Sequence, residues 1–351
     1  MREGFHRESD SADTRVGARH RGEHSVTPRG GEGRRFKSFI CMLRRIFPSD
    51  IAPTRRPFTI ACMTKIAHLS DVHLVEDHHR DRDGASRLRL SFLTLGRPCD
   101  AVDRRRRFSR ALHDAYASGA EHLVVTGDLT EDGVDAQVDV LAELLDDGPW
   151  DPRRVTLVPG NHDAYHDEHA WARALRGPLA AYAKTSTPGA VTEVGDALVV
   201  AVSPAFKQPV VRSAGRIGEA QLARLRRIAE DLALARRAVI FAQHHPPVLR
   251  GLAPVQWIDG LEGWRTLHVL LRARRNVHVL CGHTHHAYER SVRAGEPARI
   301  FTASSVVDDL RPLRLYEIDG ERVRPHPEAV PMRDAAELLA RSLTDDVALE
   351  C

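Results

Sequence analysis

From Thr64 onward, short β-branched or aliphatic runs alternate with segments whose apolar residues recur at helical spacing. That alternation predicts an α/β sheet protein. Strands are expected at 66–69, 123–126, 155–158, 197–202, 238–242, 277–281 and 299–303. Between them, Phe108, Ala111, Leu112 and Ala115 fall at i, i+3, i+4 and i+7 with Gly119 as the stop, and Val134, Val138, Leu141 and Leu145 repeat the stripe. Leu222, Leu225, Ala229 and Leu232 form a third stripe, and Trp264, Leu267 and Leu271 a fourth that ends before Asn276. The segment 313–323, with Asp319-Gly320 at its centre, predicts a hairpin that closes the sheet. No internal repeat is visible.

Residues 1–62 lack this order. They are rich in Arg, Gly, Ser and Glu and carry 13 Lys and Arg against 7 Asp and Glu. The segment is expected to be a disordered basic leader, or a mis-assigned start, because Met63 opens directly into the first strand. One domain is expected over 63–327, followed by a helical tail at 328–351. With 351 residues, 42% hydrophobic and 28% charged, the chain is long enough and apolar enough for a sizeable core. Its longest apolar stretches fall far short of the ~20 residues that cross a bilayer. Five cysteines without a CxxC pair indicate neither a disulfide framework nor a thiolate zinc site, so a cytoplasmic location is expected. The net charge is +3, and the leader accounts for the excess, which leaves the body slightly acidic and nucleic acid a disfavoured partner.

Candidate chemistry lies where the strands stop. The first run ends in Ser70-Asp71-Val72-His73, the second in Gly127-Asp128, and the third in Pro159-Gly160-Asn161-His162-Asp163. Two more end in Gln243-His244-His245-Pro246-Pro247 and Gly282-His283-Thr284-His285. In open α/β sheets such ends converge on one crevice, and Gly127, Gly160 and Gly282 allow the sharp exits it requires. Oxygen and imidazole donors without thiolates suit divalent manganese, iron or zinc. Seven candidate ligands exceed what a single catalytic ion takes while keeping an open position. If Asp128 bridges two ions, each retains three other protein ligands, and a shared water is acidified to hydroxide.

DVH at 71–73, GD at 127–128, GNHD at 160–163, His244 and GHTH at 282–285 stand in the order of the calcineurin-like metallophosphoesterase family, which this chain resembles over about 64–325. The resemblance implies a four-layer α/β/β/α sandwich with a dinuclear metal site at the sheet rim. It also implies that Asp71, His73 and His285 hold one ion, Asn161, His244 and His283 the other, and Asp128 both. His162 resembles the family's non-ligand histidine that stabilises the phosphoryl oxygen or protonates the leaving group, and Asp163 is expected to orient it. Of the adjacent pair, His244 rather than His245 is the expected ligand.

The GNHD and HHPP pattern resembles the bacterial branch with cyclic-nucleotide and glycerophosphodiester phosphodiesterases. The function expected is hydrolysis of a small phosphodiester by a metal-bridging hydroxide. Phosphomonoesters or a nucleotide pyrophosphate bond are the alternatives. A nuclease and a catalytically silent scaffold are less favoured. Substrate contacts are expected from 74–102, 205–216 and 248–262, with LSFLTLGRP as a cap element. The Arg104 to Arg107 run reads as a solvated helix start, with phosphate binding as the lesser reading.

Overall fold

The computed structural model describes residues 63–94 and 96–326. The chain divides into two units, Met1–Thr59 and Ile60–Cys351, and the described residues all fall in the second. The leader expected at 1–62 and the helical tail expected at 328–351 lie outside them.

In chain order the first half contains β1 (Thr64–Leu69), α1 (Gly84–Leu93), α2 (Ala101–Ala117), β2 (His122–Thr126), α3 (Asp135–Asp146), β3 (Val155–Val158), α4 (Ala170–Ala174) and α5 (Ala183–Ser186). The second half begins with β4 (Val191–Val194), β5 (Ala197–Ala201), β6 (Gly215–Arg216), α6 (Glu219–Glu230), β7 (Val239–Ala242), α7 (Ala253–Asp259), β8 (Leu261–Glu262) and α8 (Trp264–Ala273). It closes with β9 (Val277–Cys281), β10 (Tyr288–Ser291), β11 (Ala298–Thr302), β12 (Arg314–Asp319) and β13 (Arg322–Pro325).

The strands form a five-stranded sheet in the order β13-β12-β1-β2-β3, a six-stranded sheet in the order β10-β11-β9-β7-β5-β4, and a small β6-β8 pair. Side-chain alternation along each strand then dictates four layers. In β1, Ala67 and Leu69 join Phe108, Leu112, Val138 and Leu141 beneath α2 and α3, whereas Ile66 faces the other sheet. In β7, Val239 and Phe241 pack against Leu222, Leu225, Leu267 and Leu271 of α6 and α8, while Ile240 and Ala242 face inward. The inward faces meet in a core of their own, which includes Val124, Val199, Leu280, Phe301 and Tyr316. This is the α/β/β/α sandwich.

The hairpin expected at 313–323 is β12-β13, turning at Gly320, and it adds to the first sheet through β1. Four strands went unpredicted: the two-residue pair β6 and β8, and the edge strands β4 and β10. Both β4 and β10 are antiparallel edge strands with mostly exposed or half-buried residues, so they lack the apolar run that marks an interior strand. Leu232 also departs from expectation, because α6 ends at Glu230 and leaves that side chain exposed.

Three histidines, His68, His122 and His278, are buried in strands, on the same alternation as the inward-facing residues of β1, β2 and β9. Burial pushes their pKa values down, to about 3 for His68 and His122 and about 4 for His278. The unfolded chain therefore binds protons below pH ~6.5 that the folded chain refuses, so stability is full above that pH and falls as the solution is acidified. Denaturant melts should show unfolding free energy dropping between pH 7 and 5 by up to ~1.4 kcal/mol per pH unit for each histidine below its unfolded pKa. His122→Gln should shallow the slope; an unchanged slope would contradict this assignment.

Candidate metal centre

Five strands from both sheets send their carboxyl ends to one rim: β1, β2 and β3 from the first sheet, β7 and β9 from the second. Lateral hydrogen bonding continues past the strands. Asp71 N donates to the Gly127 carbonyl at 3.1 Å, His73 N to that of Asp128 at 2.8 Å, and Gly282 N to that of His244 at 2.9 Å.

The backbone then turns into the left-handed region at five non-glycine residues: Asp71, His73, Asp128, His283 and His285, with φ between 48° and 72°. Among the described residues these are the non-glycines with positive φ, and all five are expected ligands. Each such conformation costs ~1–2 kcal/mol in an L-residue, and strain of this kind collects at functional sites. Gly127 precedes Asp128 at φ 89°, where a side chain would collide with the His244 ring. Gly160 leaves room that a Cβ would take from the carboxylate and backbone of Asp128.

Asp128 is at the centre. Its Oδ1 accepts a hydrogen bond from His162 N at 2.9 Å, while Oδ2 lies 3.0 Å from His244 Nε2, 3.9 Å from His73 Nε2 and 4.0 Å from His162 Nε2. Donor atoms of Asp71, His73 and His285 cluster on one side, those of Asp128, His244 and His283 on the other, and His73, Asp128 and His162 form a third group. His73 Nε2 and His285 Nε2 are 3.3 Å apart, and His285 Nε2 is 3.4 Å from Asp71 Oδ1.

The donor set fits divalent cations. His244 Nδ1 donates to the Thr126 carbonyl at 2.6 Å, which turns Nε2 to the centre, toward Asp128 Oδ2. Asn161 gives its amide N–H to the Tyr165 hydroxyl at 3.1 Å, leaving its buried Oδ1 unpartnered. His283 Nε2 is occupied by Asp259, its Oδ1 at 2.8 Å, and His285 Nδ1 by Asp308. Each ring is thus anchored behind and presents one nitrogen forward. Burial disfavours charge on His244, but the Asp128 carboxylate outweighs it and raises the pKa to about 9. Burial opposes charge on Asp128 as well, and His244 and His162 hold its carboxyl well below the usual range.

Residues 64–287 match the model of the calcineurin-like phosphoesterase family, more than half of the chain. The chain belongs to that family. Among solved structures this family member is similar to a dimetal phosphatase from Danio rerio, with 15% identity, a TM-score of 0.50 and coverage of 75% of this chain and 98% of that one. A Thermus thermophilus protein is similar at 13% identity and TM-score 0.46, with coverage of 75% and 98%. The Thermus thermophilus sulfate thiohydrolase SoxB is similar at 15% identity and TM-score 0.40, with coverage of 82% and 60%. Curated proteins returned no match. Identities this low speak to the fold alone. Among the described residues, no helix is long and apolar enough to cross a membrane.

Within this phosphoesterase, six of the seven expected ligands fall in the donor clusters with His162, and Asn161, next in sequence to His162, keeps its buried Oδ1 unpartnered. Asp163 does something other than expected. Its carboxylate accepts from Leu129 N, Thr130 N, the Thr130 hydroxyl and Gly160 N at 2.7–3.1 Å, tying the loop after β3 to the loop after β2. The His162 ring is held instead by the Glu131 carbonyl, 2.6 Å from Nδ1. His245 turns its Nε2 to the Ser213 carbonyl at 2.8 Å and lays its ring against His283, centroids 4.1 Å apart.

The Arg104 to Arg107 run is not simply a solvated helix start. Arg104 is 1% exposed and bonds the carboxylate of Glu131, itself fully buried behind His73. Sequence reasoning passed over Glu131, Asp259, Asp308 and Tyr165. Glu131, three residues beyond Asp128, was the one with a local signal.

Because His244 carries its proton up to about pH 9 without a cation, loading must displace that proton. Apparent manganese affinity should therefore rise with pH between 6 and 8, about tenfold per unit from this group, as calorimetric titration would show. Affinity that is flat or falls with pH would contradict the assignment of His244.

Proposed function

We propose that this calcineurin-like phosphoesterase is a dinuclear metal-dependent phosphodiesterase acting on small diesters of the cyclic-nucleotide or glycerophosphodiester type. The observation that carries the reading is the Asp128 carboxylate, which belongs at once to a donor group with His73 and His162 and to another with His244 and His283. Asp71, His73 and His285 would hold one ion with Asp128, and Asn161, His244 and His283 the other. When bound, two divalent ions, manganese, iron or zinc, would supply Lewis acidity toward phosphoryl oxygens and acidify a water.

The chain's own contribution is orientation and proton transfer. The Glu131 carbonyl requires a proton on His162 Nδ1, so Nε2 is the atom that gains or loses the mobile one. That atom lies 4.0 Å from Asp128 Oδ2, at the edge of the donor cluster, where it can protonate the departing alkoxide oxygen. Asp163 fixes the loop that carries His162 and Asn161 by its four hydrogen bonds. Glycerophosphodiesters and cyclic nucleotides are favoured by the GNHD and HHPP pattern.

The test compares hydrolysis of bis(p-nitrophenyl) phosphate and p-nitrophenyl phosphate by stripped and manganese-loaded protein. Manganese-dependent cleavage that favours the diester is expected, while preference for the monoester would make the protein a phosphatase instead. Asp128→Ala should abolish turnover, and His162→Ala should lower kcat by ~10²–10⁴ with manganese still bound. Activity surviving in Asp128→Ala would overturn the scheme.

A further inference from the structure

Arg97 lies between α1 and α2, in the segment expected to cap the site, and its position is built rather than incidental. Gly96 turns the chain at φ 86°, and Arg97 N donates to the Thr94 carbonyl at 2.8 Å. On the far side, buried Arg104 donates to the Pro98 carbonyl through Nε at 3.1 Å and Nη2 at 2.8 Å. It also donates through Nη1 to the His73 carbonyl at 2.5 Å and to Glu131. One residue thus fastens the Arg97 loop, a metal-site strand end and the buried carboxylate together.

The guanidinium of Arg97 is used on one corner only. Nη2 bonds Glu131 Oε1 at 2.5 Å and the Leu93 carbonyl at 2.9 Å. Nε is buried without a partner, and Nη1 has His73 Nε2 at 3.4 Å. Once the lone pair of that nitrogen serves a cation, it can no longer accept from Arg97. Nη1, beside the Asp71, His73 and His285 cluster, is then left with nothing to bind.

Charge points the same way. Arg97 and Arg104 share the single carboxylate of Glu131, which leaves one surplus positive charge beside the centre. Asp308, a further carboxylate that feels Arg97, is engaged by His285 Nδ1, and Asp71 and Asp128 stand among the expected ligands. A partly buried cation in surplus is costly unless an anion joins it. Other arginines nearby are committed elsewhere: Arg82 and Arg89 to Asp132, Arg105 to Asp77 and Glu143, Arg107 to Asp103. The Arg97 side chain is 16% exposed.

We propose that Arg97 is a substrate-binding residue of this centre, its Nη1 donating to a non-bridging oxygen of the phosphoryl group. The assignment rests on the phosphoesterase reading and deepens it. A guanidinium N–H binds a phosphoryl oxygen by a charge-assisted hydrogen bond.

The test uses full-length manganese-loaded protein as wild type, Arg97→Met and Arg97→Lys. It reads manganese content by elemental analysis, the Kd of inorganic phosphate by calorimetry, and KM and kcat on bis(p-nitrophenyl) phosphate. Both variants should keep the wild-type manganese content. Phosphate should bind about ten- to hundredfold more weakly to Arg97→Met, and less weakly to Arg97→Lys, with KM raised in the same order. The lysine variant keeps a cation on Glu131, so it carries the test alone if the methionine variant does not fold. Phosphate affinity within twofold of wild type would overturn the proposal, as would affinity lost only together with manganese. A wild type that binds manganese and cleaves no phosphoester would overturn the phosphoesterase reading and this assignment with it. Cleavage by wild type with unchanged phosphate binding in the variants overturns the Arg97 assignment alone.

Discussion

The Asp128 carboxylate, 2% exposed at the meeting of two sheets, sets the terms for everything around it. A bare charge there would be strongly unfavourable, and the surroundings answer it atom by atom. One oxygen takes the His162 backbone N–H, and the other faces three imidazoles from three different strand ends. Two of them are tied back, His244 to the Thr126 carbonyl and His162 to that of Glu131, so each presents a chosen nitrogen. Such an arrangement places lone pairs close together, as between His73 and His285, which is favourable only when cations or protons sit among them.

Holding that cluster requires backbone that L-residues avoid. The five left-handed non-glycines are the points where β1, β2 and β9 stop being strands and begin to supply donors. Lateral hydrogen bonds running on past the strands, and the four bonds accepted by Asp163, stabilise these turns against relaxation. Glu131 links this frame to the cap segment through Arg97 and Arg104, so the loop over the site is not an independent flap.

Much of this was legible in the amino-acid order. Interior strands announce themselves by apolar runs, and the donors stand directly behind those runs, so Asp71, Asp128, Asn161 and His283 could be placed with their neighbours. What escaped was whatever depends on contacts distant in sequence. Asp163 follows His162 directly, which suggested a partnership, yet the loop sends its carboxylate to Leu129 and Thr130 on another strand end. Arg104 looked like one member of a solvated run because its charge masked its place on the buried stripe, four residues before Phe108. Edge strands β4 and β10 were invisible because one side of each faces solvent and the apolar alternation is lost.

The central claim is that Asp128 joins two cations rather than serving one. Anomalous scattering from a manganese-loaded crystal tests it most directly. Two peaks about 3.5–4 Å apart on either side of the Asp128 carboxylate are predicted. A single peak, or two that do not share that carboxylate, would contradict the account.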